Sequence, residues 1–189
     1  MRQHMKSKIW LSAVIMLLLA GCVGTWTRVD DSTKAFSTSN YQALLPMGWV
    51  LITINDALFV TRDGIGIQQI EILYQPHDKA FEKLKKSSSA EMLPSELAEL
   101  YIGETKANNA NGLPSLEAIS NEPTEIGGHQ GFYLHLKYTA DNGLHHESLV
   151  NGFANQKGFY VIKYTAPSLH FFSKYKNAYK DVVSSFKAS

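Results

Sequence analysis

Four apolar segments divided by turn residues constrain this chain more than any other feature of its sequence. Glu117 to Ile126, His129 to Ala140, Leu144 to Ala154 and Phe159 to Ala166 are separated by Gly127-Gly128, Asn142-Gly143 and the Asn155 to Gly158 segment. Short runs of this length, closed by glycine and asparagine, predict antiparallel strands joined by tight turns, hence a four-stranded meander. A two-residue turn at Asn142-Gly143 pairs Leu136 with Leu149 and Phe132 with Phe153, and puts Leu134, Tyr138 and Asn151 on the same side. A slip of one residue sets Leu136 against Ser148 and Phe132 against Gly152, so the apolar match favours the first register.

Upstream, Tyr41 to Tyr74 also reads as strands. Asp63-Gly64 between apolar runs is a hairpin signal that pairs Val60 with Ile67. From His77 to Asn109 the alternation stops, and helices are predicted over Ala80 to Lys86 and Ser95 to Lys106. Leu93, Leu97, Leu100 and Tyr101 fall near one face, with Pro94 suited to the first turn. A closing helix is predicted from Leu169 to Phe186, where Phe171, Phe172, Tyr175, Ala178, Tyr179, Val182 and Phe186 recur at intervals of three and four. The fold class is therefore α+β: an antiparallel sheet of about six to seven strands packed by helices, with residues 41–189 as one domain.

The first 21 residues read as an export segment. Arg2, Lys6 and Lys8 precede an apolar stretch from Ile9 to Ala20, which is too short to span a bilayer as a stable helix. Leu19-Ala20-Gly21-Cys22 resembles the lipobox of bacterial lipoproteins. That resemblance implies cleavage between Gly21 and Cys22, a diacylglyceryl group on the Cys22 sulfur and acylation of the new amino terminus. One acyl chain anchors marginally, and two or three hold firmly, at about 0.8 kcal/mol per buried CH₂. Cys22 is the only cysteine, so the resemblance leaves the exported domain without a disulfide. Val23 stands where an aspartate retains enterobacterial lipoproteins in the inner membrane, so the resemblance points to the outer membrane, facing the periplasm. Residues 22–40, polar and small, are expected to hold a tether.

Leu45-Pro46-Met47-Gly48-Trp49, Gly131-Phe132-Tyr133, and the ending Gly158-Phe159-Tyr160 through Ala166-Pro167 to Ser184-Ser185-Phe186 are similar to patterns in the PsbP-like fold family. That family includes the extrinsic photosystem subunit, a nuclear-import factor that binds the Ran GTPase, and many bacterial lipoproteins. The resemblance covers about residues 36 to 187 and implies a sheet sandwiched between helices. It carries over no functional residue.

The chemistry in the sequence is sparse. His146-Glu147 begins an H-E-x-x-H pattern, but Val150 occupies the last position and the run lies in a strand, where neighbours diverge. In the favoured register His135 faces Val150, His146 faces Thr139 and His145 faces Ala140, so no pair of histidines converges on a metal. His135 and His129 are the ones to substitute should metal binding be found. There is no G-x-S-x-G elbow, and Gly64-Ile65-Gly66 runs into a strand rather than round a phosphate. Lys79, Lys83, Lys85 and Lys86 are ordinary solvated surface, with an anionic contact as the alternative.

A net charge of +1, or 15 basic against 17 acidic residues once Arg2, Lys6 and Lys8 leave, argues against nucleic acid as a partner. No catalytic set, cofactor motif or metal site emerges. The expectation is a non-enzymatic lipoprotein, held to the membrane by its lipid, whose domain binds another envelope protein. Loop 107–115 is among its candidate contacts. The alternative is a small-ligand binder with a pocket between sheet and helices, lined by residues such as Trp49, Tyr101 and Tyr164.

Overall fold

The computed structural model describes residues 25–109 and 113–189. Gly21 and Cys22, the lipidation site expected from the sequence, lie outside the described residues. In chain order the strands are β1 (Thr27–Arg28), β2 (Ala35–Ser37), β3 (Tyr41–Leu44), β4 (Val50–Ile54), β5 (Ala57–Thr61), β6 (Gln69–Gln75), β7 (Glu117–Ile126), β8 (His129–Thr139), β9 (His145–Asn155), β10 (Gly158–Pro167) and β11 (Lys187–Ala188). The helices are α1 (Pro94–Ala107) and α2 (Phe171–Ser185), with a short 3₁₀ turn at His77–Lys79.

The meander forms as expected, β7 through β10 lying side by side. β10 then pairs with β6, which joins the earlier strands to it. The result is one antiparallel sheet of eight strands in the order β1-β4-β5-β6-β10-β9-β8-β7, and a second, small sheet in the order β11-β3-β2. The α+β class stands, but the strand count exceeds the expected six to seven. The excess comes from short strands at the two ends of the domain. Thr27–Arg28 pairs with β4, Ala35–Ser37 with β3, and Lys187–Ala188 returns to β3. Within the stretch 22–40, Val29 is only 1% exposed and belongs to the core.

Turn geometry corrects two registers. The expected two-residue turn at Asn142-Gly143 is a three-residue loop over Asp141, Asn142 and Gly143. Gly143 N–H donates to the Ala140 carbonyl at 2.8 Å and Ala140 N–H to the Leu144 carbonyl at 2.9 Å. Gly143 takes φ 80°, the left-handed residue that closes such a loop. The extra loop residue shifts every pair by one, so Leu136 lies opposite Ser148 and Phe132 opposite Gly152. The expected pairs with Leu149 and Phe153 do not form. Asn151 is opposite Tyr133, on the face away from Leu134. The Phe132 ring occupies the space over Gly152, where a Cβ would come within 2.5 Å of its Cζ.

The Asp63-Gly64 hairpin fails for a related reason. Gln68 is fully buried and its side-chain oxygen accepts from the Arg62 and Asp63 amides at 3.0 and 3.3 Å, which holds residues 63–68 as a wide loop. Val60 consequently pairs with Ile70, not Ile67. The two-residue hairpin of this region sits instead at Asn55-Asp56, both at positive φ, between Ile54 and Ala57.

No helix forms over Ala80 to Lys86. The segment folds back on itself through a Phe81–Lys86 bridge, and the Glu104 carboxylate takes the Lys83 and Leu84 amides at 3.0 Å each. Those side-chain bonds replace helical ones, while the buried Phe81 ring packs 5.0 Å from Phe159. The other two helices form close to their expected bounds. At the start of α1 the Glu96 carboxylate accepts the Leu93 amide at 2.9 Å and Pro94 occupies the first turn. Leu93, expected on the apolar face, is the capping position and stands 60% exposed; Leu97 and Ala98 are buried.

The sheet buries both faces. α1 packs on β7, β8 and β9, where Phe132, Leu134, Val150 and Val161 form its floor. α2 packs on the opposite face against β10 and β9, burying Phe172, Tyr179, Val182 and, just beyond its end, Phe186. Each buried aromatic ring contributes about 2 kcal/mol by area. α2 lies over the middle of the sheet, and toward its β7 edge Glu122 is exposed and Tyr133 half-buried on the α2 side.

Candidate functional site

Strands β8 and β9 and the near side of α2 form a cleft of about 470 Å³. Period two along β8 and β9 sends Tyr133, Leu149 and Asn151 into its floor, and helical spacing brings Lys176, Tyr179 and Lys180 to its wall. Glu125 and Gly127, from the end of β7 and the turn after it, close one side. The floor is held by one buried hydrogen bond: the Tyr179 hydroxyl donates to Asn151 Oδ1 at 2.6 Å, with the Ile162 carbonyl 3.2 Å away.

Burial pushes the Tyr179 phenol well above its ordinary range, and burial together with the Glu122 charge raises that of Tyr133. Both hydroxyls therefore stay protonated at neutral pH and serve as hydrogen-bond groups. Lys176 sits over the Phe172 ring, 5.8 Å from its centre. The cleft thus offers two ammonium groups, a half-buried phenol and an amide on an aromatic-backed floor. The Glu125 carboxylate and the Ser184 hydroxyl border the same space.

The residues expected to line a pocket do not converge. Trp49 is buried with its ring edge against Tyr175 at 5.1 Å, and the Tyr164 hydroxyl donates to the Phe171 carbonyl at 2.8 Å. Tyr101 lies on the other side of the sheet, 5.9 Å from Phe132. There it borders a smaller cleft of about 250 Å³ crossed by a Lys163–Glu71 ion pair. Burial pulls the Lys163 ammonium down, but Tyr101 and Glu71 outweigh it and hold the group above the ordinary lysine range.

The histidines are dispersed in other pairings than the sequence register implied. His135 lies opposite Leu149, reaches Glu147 Oε2 with Nε2 at 2.6 Å and stacks on Phe172. His145 lies opposite Thr139 and contacts its hydroxyl at 3.1 Å, and His146, opposite Tyr138, stacks on that ring. His129 stacks on Phe153 at 4.7 Å. Among the described residues no three of His, Cys, Asp and Glu gather as a metal would require. Of the lysine cluster, Lys79 pairs with Glu82 at 2.7 Å at the surface. Loop 107–115 is described only in part, residues 110–112 lying outside it.

A helix on each face of an eight-stranded antiparallel sheet, with a small second sheet closing one side, defines an α+β sandwich with its cleft beside the closing helix. Residues 31–188 match the family model described as PsbP, and the chain belongs to the PsbP family. Among solved structures it is similar to cyanobacterial PsbP (CyanoP) from Synechocystis sp. PCC 6803, at TM-score 0.52 and 16% identity over 91% of this chain and 99% of that one. It also matches LpqN of Mycobacterium tuberculosis, described as involved in cell envelope biogenesis, at TM-score 0.40 and 14% identity over 90% of this chain and 87% of that one. The first shows a shared fold; the second is too distant in shape to carry an argument. Comparison with curated proteins finds no match. Among the described residues no helix is long and apolar enough to cross a membrane.

Proposed function

We propose that this protein is a lipid-anchored component of a bacterial envelope, held through Cys22, whose PsbP-family domain binds another envelope protein without catalysing a reaction. The observation that carries the reading is the cleft beside α2 near the β7 edge of the sheet. Tyr133, Asn151, Lys176 and Lys180 there form a broad recess with hydrogen-bonding and cationic groups around an aromatic floor. Tyrosine is enriched in protein-binding patches, and Tyr133 offers both a ring and a hydroxyl here. The lipobox-like segment supplies the anchor, and Val23 favours the outer membrane, facing the periplasm. Crosslinking in intact cells, followed by mild extraction and purification of this chain, is expected to recover one discrete envelope partner. Recovery of the chain alone would count against the reading.

A second reading follows from the same cleft: a small anionic ligand seated between Lys176 and Lys180. Its volume of about 470 Å³ lies within the range of ligand pockets. Calorimetric titration with small carboxylates and phosphate esters separates the two. Binding lost in Lys176→Ala/Lys180→Ala would favour the ligand, and no heat with any of them would leave the protein partner.

A further inference from the structure

Five apolar side chains gather on one face of the main sheet without joining either core. Arg28 lies opposite Val50, and Ile52 lies opposite Phe59. Residues facing one another in an antiparallel pair share a side, and period two adds Ile54 to Val50 and Ile52, and Trp26 to Arg28. The row continues from Phe59 to Glu71, Lys163 and Val150, which places it on the α1 side. α1 itself packs on β7, β8 and β9, toward the other edge. Neither core includes Trp26, Val50, Ile52, Ile54 or Phe59. Trp26 is 52% and Ile54 44% exposed, and Val50 and Phe59 are half-buried. On the other side of the same strands, Leu51, Leu58 and Val60 share the α2 core with Tyr41 and Ala43 of the small sheet.

The chain before β1 says what meets this face. β1 is antiparallel to β4, so stepping back from Thr27, opposite Leu51, carries the backbone through Trp26 toward the Asn55-Asp56 turn. With strands about 4.8 Å apart and rising about 3.4 Å per residue, Ile54 lies roughly 8 Å from Trp26. Trp26 is four residues from Cys22, a reach of about 14 Å at full extension. Acyl chains on Cys22 therefore hold the head-group level within that distance of Trp26, at the edge of the sheet where the apolar row begins. A tryptophan ring is suited to that level, being apolar in body with one polar N–H. Arg28, exposed on the same face, brings a cation on an apolar stem to the lipid phosphates. Glu71, the nearest carboxylate along the row, is paired with Lys163.

We infer that the domain rests on the bilayer through the β1–β4–β5 part of its α1 face, with Trp26 and Ile54 at the level of the lipid head groups. The inference rests on lipidation of Cys22 as proposed above and adds an orientation to it. β7 is the opposite edge of the sheet, roughly 30 Å away, so the cleft beside α2 stands clear of the lipid.

The test uses the mature acylated protein reconstituted in phosphatidylcholine vesicles. Its only native thiol is consumed by the lipid, so a nitroxide label goes to Ile54→Cys and, in a separate sample, to Thr53→Cys. Both positions are exposed neighbours on β4 but point to opposite sides of the sheet, so closeness to the anchor alone affects them equally. Collision of each label with oxygen and with a water-soluble nickel chelate is measured. The expected result is a label at 54 shielded several-fold from the chelate relative to that at 53, and open to oxygen. A label at 54 no better shielded than that at 53, on protein that floats with the vesicles and carries its acyl chains, overturns the orientation and leaves the anchor intact. Shielding at 54 from both reagents, the mark of a second copy or another protein on this face, overturns it as well. Protein that cells leave without acyl groups overturns both the orientation and the anchor.

Discussion

The Tyr179 hydroxyl donates to Asn151 Oδ1 at 2.6 Å, tying the middle of α2 to the sheet directly beneath the cleft. Both residues are buried, so the bond lies where water cannot replace it. It sets the height of the helix above β9 and therefore the shape of the recess between Tyr133 and Lys180.

Tyr179→Phe leaves the Asn151 oxygen without that donor while keeping the ring. Stability is expected to fall by about 1–2 kcal/mol. Urea unfolding should show a lower midpoint with an unchanged slope, because the surface exposed on unfolding is the same.

The Lys163–Glu71 pair joins β10 to β6 under partial cover, with side chains 27% and 15% exposed. Glu71→Ala strands the ammonium and should cost about 2 kcal/mol. The double variant Glu71→Leu/Lys163→Met, which removes both charges and refills the space, should recover most of that loss. A double-mutant cycle by denaturant titration checks the coupling.

Gly152 lies under Phe132, with no room for a methyl group. Gly152→Ala is expected to destabilise by about 2 kcal/mol through overpacking, and Phe132→Leu in the same chain to relieve part of it. Thermal unfolding of the single and double variants reads both effects.

Those three sites show what the sequence carries and what it lacks. The meander, α1 and α2 are legible because glycine and asparagine punctuate four apolar runs and because Phe172, Tyr179, Val182 and Phe186 keep helical spacing. Registers were not, since the difference between a two-residue and a three-residue loop at Asn142-Gly143 depends on whether Ala140 joins Leu144, which residue types do not state. The buried Gln68 had no pattern at all, and the strands at 27–28 and 35–37 are too short and polar to announce themselves. In the cleft, Tyr133 and the pair Lys176 and Lys180 sit at ordinary strand and helix spacings. What marks them is how far α2 lies toward the centre of the sheet, a long-range packing outcome. Trp49 and Tyr164, expected beside a pocket, fill the core instead.

Burial holds the His146 imidazole below the ordinary histidine range, its Nδ1 buried without a partner. The unfolded chain takes up a proton near pH 6.5, and the folded chain only at lower pH. Stability contributed by neutral His146 is therefore full above about pH 6.5 and declines as pH falls through that value toward the folded one. His146→Phe, which keeps a ring against Tyr138, should flatten this part of the stability–pH curve. Midpoints of urea unfolding between pH 7.5 and 5 provide the comparison.

Cys22→Ser removes the sulfur that the lipobox-like segment presents. The variant is expected to accumulate at its precursor mass, without incorporation of labelled palmitate. Mass spectrometry and metabolic labelling read both, and unchanged processing with unchanged acylation would place the anchor elsewhere.

The most direct measurement is site-specific photocrosslinking in living cells, with the crosslinker at Tyr133 in the cleft and, as the comparison, at Glu99 on α1 across the sheet. The account predicts a discrete adduct with another envelope protein from position 133 and none from 99. Equal or absent crosslinking at the two positions, in protein that is folded and acylated, would contradict it.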